Sequence, residues 1–113
     1  MILIEKTVMD YLDTVLDDPS FTQEQNNGMT RFHLIQKVGS STDNKIFTSM
    51  VAVQSLAPSR LEAAQMNKEV CEAMENIVEL EVIGSCKLNS DYDYTDTSKK
   101  RYRYQALFEI VHY

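Results

Sequence analysis

Apolar residues recur at three- and four-residue intervals near the start of the chain, where Ile4, Val8, Tyr11, Leu12 and Val15 make one stripe. That period predicts an amphipathic helix over Ile2 to Leu16. Asp17-Asp18-Pro19-Ser20 ends it, because the position before a proline is pushed out of the helical region. Glu24 to Thr30, "EQNNGMT", carries Asn-Gly and reads as a loop. The pattern then changes to strands. Arg31 to Val38 predicts one strand, Gly39 to Asn44 ("GSSTDN") a turn, and Lys45 to Ser55 a second strand. In the second strand Phe47, Val51 and Val53 share one face and Ile46, Met50 and Ala52 the other. Apolar residues on both faces suit a central strand, or one covered by a helix and by a neighbouring subunit.

A second helix opens at Pro58-Ser59, where Ser59 and Glu62 have the spacing of a capping box. Ala63, Met66, Val70, Ala73 and Ile77 form its apolar stripe, and Lys68, Glu72, Glu75 and Glu79 its polar face. That face is most simply solvated, although it could also line a passage for a polyanion. Leu80 to Leu88 predicts a third strand, Asn89 to Lys99 a polar loop, and Arg101 to Tyr113 a fourth strand. The resulting order is α-β-β-α-β-β. Two helices packed against a mainly antiparallel four-stranded sheet make an α+β domain.

Length and charge narrow the function classes. The chain has 113 residues, which suits one domain spanning residues 1–113. No apolar run approaches the roughly 20 residues that cross a bilayer. Glu5 and Asp10 interrupt the start "MILIEKTVMDYLD", unlike a signal peptide, so the expectation is that the protein stays in the compartment where it is made. The net charge of −6, from 17 acidic and 11 basic residues, repels polyanions in bulk. Lys99, Lys100, Arg101 and Arg103 are the local exception. Cys71 and Cys86 are expected as buried reduced thiols, not as a disulfide framework.

Candidate chemistry is sparse. His33 and His112 fall in separate strands without Cys, Asp or Glu at metal-ligand spacing. The three glycines, Gly28, Gly39 and Gly84, form no phosphate cradle. No motif sets a base beside a Ser or Cys nucleophile. Asp91, Asp93 and Asp96 alternate like calcium ligands but lack the glycine and glutamate of an EF-hand loop. The expectation is therefore no enzyme, no metal and no cofactor. "KKRYRY" could bind nucleic acid through phosphate-contacting cations and stacking rings. Strand alternation, however, sends Arg101 and Arg103 to one face and Tyr102 and Tyr104 to the other. Tyr and Arg are also the residue types enriched at protein–protein contacts.

Three stretches together resemble a known family: "VMDYLDTVL", the segment from "FHLIQKVG" to "SRLEAAQMNKEVCEAM", and the tail "LNSDYDYTDTSKKRYRYQALFEIVHY". They are similar to the tail terminator, or head–tail joining, proteins of long non-contractile-tailed bacteriophages. The family's turn falls at Lys37 and Gly39, its helix start at Ser59, Glu62, Ala63 and Ala64, and its closing "RYQA" at Arg103 to Ala106. Where the family often carries a proline-rich segment, this chain has "TQEQNNGMT". The resemblance implies a structural virion protein. It would form a ring, typically of six subunits, on the head-proximal end of the tail tube. The ring would stop tube growth and join the tail to the DNA-filled head. Its partners would be copies of itself, the tube protein and a head connector protein, with DNA passing through without specific binding and no membrane involved. It would be assembled in the bacterial host cytoplasm and reside at the virion's head–tail junction. The expected contact residues are Gly39, Ser40, Ser41, Thr42, Asp43 and Asn44 in one loop. The second group is Asp91, Tyr92, Asp93, Tyr94, Asp96, Lys99, Lys100, Arg101, Tyr102, Arg103 and Tyr104. Two alternatives remain: a head-side completion or stopper protein, and a small nucleic-acid-binding module using Lys99 to Arg103.

Overall fold

The computed structural model describes residues 3–23, 28–95 and 101–113. Its elements are α1 (Ile4–Val15), β1 (Ser20–Phe21), β2 (Phe32–Asp43), β3 (Ile46–Ala57), α2 (Arg60–Met74), a 3-10 turn (Ile77–Glu79), β4 (Ile83–Asp93) and β5 (Tyr102–His112). The strands form one five-stranded sheet in the order β1-β2-β3-β5-β4. The fold is α+β, and the expectation of four strands is corrected to five. The extra strand, β1, pairs parallel to β2 through Ser20↔His33 and Phe21↔Leu34. The His33 N–H donates to the Pro19 carbonyl at 2.8 Å. The helix has already ended at Leu16, which is extended, and the two residues of β1 are too few for a periodic signal.

β3 is central, as its doubly apolar pattern implies, and is buried without a break from Val51 to Ala57. Both helices cover one face of the sheet. Ile4, Val8 and Leu12 of α1 and Val70 and Met74 of α2 pack with Ile35, Val51, Val53, Ala106, Phe108 and Ile110. Each such fully buried aliphatic or aromatic side chain contributes about 1.5–3 kcal/mol. The Tyr11 hydroxyl donates to the Ala73 carbonyl at 2.7 Å and ties α1 to α2. On the opposite face Phe32, Leu34 and Leu56 lie under Phe21 and Met29. The α2 cap follows the predicted pair: the Glu62 N–H donates to Ser59 Oγ at 3.2 Å, and the hydroxyl donates to Glu62 Oε2 at 3.0 Å. Lys68, Glu72, Glu75 and Glu79 are exposed, as a solvated face requires.

Three further boundaries differ from the sequence pattern. Gly39 to Asp43 continue β2, and the reversal falls on Asn44 and Lys45 alone. "GSSTD" has turn composition because this end of the hairpin is solvated on both faces, so no apolar alternation marks the strand. β4 begins at Ile83, not Leu80, because Leu80 closes the 3-10 turn by donating to the Ile77 carbonyl at 3.0 Å. β4 then runs through Asn89 to Asp93, expected as loop. It is an edge strand with its outer positions exposed, which lets polar residues extend it.

Candidate functional site

The two expected contact groups lie at opposite ends of the sheet. β2 and β3 pair from Phe32↔Leu56 at one end to Asp43↔Ile46 at the other. β5 runs the full length of β3, from Tyr102 beside Ala57 to His112 beside Phe47. Gly39 to Asn44 are therefore at the hairpin end, whereas Asp91 to Tyr94 and Arg101 to Tyr104 are at the other. The molecule measures 45 × 25 × 23 Å, its long axis matching strands of eleven and twelve residues.

At the hairpin end, Gly39, Ser40, Ser41, Thr42, Asp43 and Asn44 are all exposed. Asn44 and Lys45 have φ of 50° and 66°, the positive values that a two-residue type I′ turn demands at both central positions. The base of this end is firm. The Phe47 and His112 rings stack at 5.4 Å with 12° between planes, and His112 Nε2 lies 2.8 Å from Ser49 Oγ. Burial lowers the His112 pKa below its usual range.

The opposite end is held by polar side chains. Asp93 forms an ion pair with Arg60 at 2.9 Å. It also accepts hydrogen bonds from the hydroxyl and backbone N–H of Thr95. The Thr95 hydroxyl, then its N–H and the Arg60 charge, hold the Asp93 carboxyl below its ordinary pKa. Asp91 Oδ2 accepts from Asn67 Nδ2 at 2.9 Å. Tyr92 and Tyr94 are exposed and meet edge to face at 5.9 Å. Tyr102 and Tyr104 are half-buried within the chain, packed against Ala57, Ala63 and Met66. The Arg60 guanidinium lies 5.4 Å over the Tyr102 ring, and that of Arg101 lies 5.4 Å over Phe32. Asp96, Lys99 and Lys100 lie outside the described residues.

A polar chain crosses three strands here on the helix-free face. Arg103 Nη1 donates to Gln54 Oε1 at 3.0 Å, Gln54 Nε2 to Gln105 Oε1 at 2.8 Å, and Gln105 Nε2 to the Tyr92 hydroxyl at 2.6 Å. Gln54 and Gln105 are buried. Sequence reasoning missed this chain, since it requires the register Gln54↔Gln105↔Tyr92. It also missed an ion-pair clamp. Arg31 bonds Asp18 at 3.0 Å and Glu62 at 3.2 Å, joining the segment after α1 to the first turn of α2.

Among the described residues the sheet has two long unpaired edges. β1 covers β2 only at His33 and Leu34, and β4 is the outermost strand on the other side. The β2 edge carries a bulge at Val38, between Lys37 and Gly39, and the β4 edge carries two, at Gly84 between Ile83 and Ser85 and at Asn89 between Leu88 and Ser90. Val38 and Leu88 are 59% and 48% exposed.

Other reactive side chains are wholly or partly buried. His33 Nδ1 lies 3.2 Å from Ser55 Oγ, both buried, and Ser49 and His112 are buried likewise. These Ser–His pairs satisfy one another away from solvent. Cys71 and Cys86 are free thiols that line one cavity of about 160 Å3 with Met74, Glu75, Leu88 and Phe108. Burial pushes both thiols up to about 11, against the thiolate form. Among the described residues no three His, Cys, Asp or Glu side chains converge to hold a metal ion. No helix among them is long and apolar enough to cross a membrane. No protein-family model matches the chain, and no curated protein matches it.

Proposed function

We propose that the protein caps the head-proximal end of a phage tail tube as a ring, stops tube polymerisation and joins the tail to the DNA-filled head. The observation that carries this reading is the placement of the two contact groups at opposite ends of one sheet, with an open strand edge on each flank. A joint between two dissimilar bodies needs two separate end surfaces and a lateral surface for its own copies. Stacked tube rings repeat one head-to-tail contact and grow without limit by themselves. A terminator matches the tube on one face and presents a different face beyond it. The exposed Ser/Thr/Asn hairpin and the tyrosine-bearing opposite end differ in this way. The net charge of −6 suits a ring through which DNA passes without being held.

The nucleic-acid alternative draws less support. The Tyr102 and Tyr104 rings are half-buried against Ala57, Ala63 and Met66, and Arg101 and Arg103 are engaged with Phe32 and Gln54. Stacking platforms for bases need open ring faces.

The test is a phage whose copy of this gene carries an early stop codon, imaged by electron microscopy of lysates. Overlong tail tubes beside DNA-filled, tailless heads are expected. Tails of normal length beside unattached or empty heads would move the protein to the head side of the junction. Intact infectious particles would overturn both readings.

A further inference from the structure

We infer that neighbouring copies join edge to edge, the outer edge of β4 in one copy pairing antiparallel with the outer edge of β2 in the next. This contact takes its role from the ring reading above, but its existence is argued and tested on the protein alone.

The directions of the strands permit it. β2 is antiparallel to β3, β3 to β5 and β5 to β4, so β2 and β4 run in opposite senses. Two copies placed side by side in the same orientation therefore bring β4 and β2 together as an antiparallel pair, with no flip. The lengths also match. β2 is open from Ile35 to Asp43 and β4 from Ile83 to Asp93, and both flank the same central rows. Among the described residues both edges leave a row of backbone donors and acceptors to water, the usual template for strand addition.

The bulges make the match specific. Lys37, Val51, Phe108 and Leu88 form one continuous row across the sheet. Val38 is the extra residue just after Lys37, and Asn89 the extra residue just after Leu88. Both edges thus bend next to the same row, at opposite ends of it. Bulges on paired strands give a sheet the local curvature that closure requires. Two exposed apolar side chains of the edges lie here as well, Leu88 at one end of that row and Val38 next to its other end. Copies in register set Leu88 of one against Lys37 of the next, with Val38 at the adjoining position of the same contact. The contact uses different surfaces on its two sides, so it repeats around a ring instead of stopping at a dimer.

The test uses purified full-length protein in analytical ultracentrifugation over rising concentration, with amide hydrogen exchange at the lowest and highest. Wild type is expected to form a closed oligomer larger than a dimer, with slowed exchange confined to Gln36–Asp43 and Ile83–Asp91. Val38→Asp and Leu88→Asp are each expected to remain monomeric with unchanged circular dichroism, since both side chains are exposed. Mixing the two variants should give a species of about 26 kDa, twice the chain's 13.0 kDa, and nothing larger. Each variant keeps one good edge, so one contact forms and both outer edges stay blocked. A wild-type dimer that survives Val38→Asp would overturn the proposal in favour of β4 pairing with β4. A wild type still monomeric at about 1 mM, where a specific contact of even −4 kcal/mol would show, would also overturn it. Slowed exchange outside both edges would do the same without any variant. Monomers here, together with overlong tails in the stop-codon phage, would remove this contact and keep the terminator reading. Rings here with normal tails would do the reverse.

Discussion

His33 and Ser55 sit directly opposite each other on β2 and β3, with Nδ1 3.2 Å from Oγ, and neither is exposed by more than 1%. The imidazole is held neutral because burial opposes its charge. Asp18 and Asp13 pull its pKa up and Arg31 pushes it down, leaving it at about 4 against an ordinary 6.5. The unfolded chain therefore binds a proton that the folded chain refuses between those values. Stability from this site is complete above pH 6.5, falls as pH drops from 6.5 to about 4, and is lost below. The loss is on the order of 3 kcal/mol. Urea midpoints of wild type and His33→Gln between pH 7.5 and 4 check this: the difference between the two proteins should shrink or reverse toward acid. A difference that stays constant across that range would show that His33 is not the titrating group.

Gln54 and Gln105 face each other across β3 and β5, and their amides are joined at 2.8 Å. Replacing one by Leu strands a buried amide and is expected to cost about 1–3 kcal/mol. Replacing both leaves no unmet group between them, so the double variant should lose less than the sum of the singles. The melting temperatures of the four proteins form a double-mutant cycle, and additive losses would show the pair to be uncoupled.

The legible parts of the fold were those with an apolar period: α1, α2, the hairpin and β5. The apolar pattern of β3 on both faces left two placements open, a central strand or one covered by a helix and a neighbouring subunit, and the structure makes it central. What stayed hidden had no such period. β1 is two residues long, and the hairpin end and Asn89 to Asp93 are strands whose exposed positions are filled by polar residues. The placement of Gly39 to Asn44 and of Asp91 to Tyr94 at opposite ends of the sheet was not legible either. That follows from β5 running antiparallel along the whole of β3, a relationship between residues far apart in sequence. Tyr102 and Tyr104 show the same limit. Alternation placed them on one face, but only the position of α2 determines that this face is covered.

Ser59 and Arg60 stand next to each other at the start of α2 and should contribute unequally. Ser59 satisfies a helix-end N–H that otherwise has no partner, so Ser59→Ala is expected to cost about 1 kcal/mol. The Arg60–Asp93 pair is largely in solvent, and Asp93→Asn is expected to cost less than Ser59→Ala, and less again at high salt. Denaturant midpoints at low and high ionic strength separate the two. A salt-sensitive Ser59 effect, or an Asp93 effect larger than that of Ser59, would reverse the ranking.

Lys45 offers a stabilising change. Its φ of 66° puts a residue with a Cβ in the left-handed region, where the side chain crowds its own backbone. Asn44 before it tolerates the same region, and Asn-Gly is the favoured pair for this turn. Lys45 is exposed and makes no ion pair among the described residues, so little is lost with its side chain. Lys45→Gly is therefore expected to raise stability by about 0.5–1 kcal/mol, the part of the left-handed strain that survives glycine's larger unfolded-state entropy. The melting temperature should rise by a few degrees. A fall in melting temperature would mean that the Lys45 side chain stabilises the hairpin end by more than its backbone conformation costs. Placed in a phage, the same variant separates the hairpin's rigidity from its surface chemistry. Normal tail length is expected, because Ser40 to Asn44 keep their side chains. Overlong tails from a more stable protein would assign Lys45 itself to the contact.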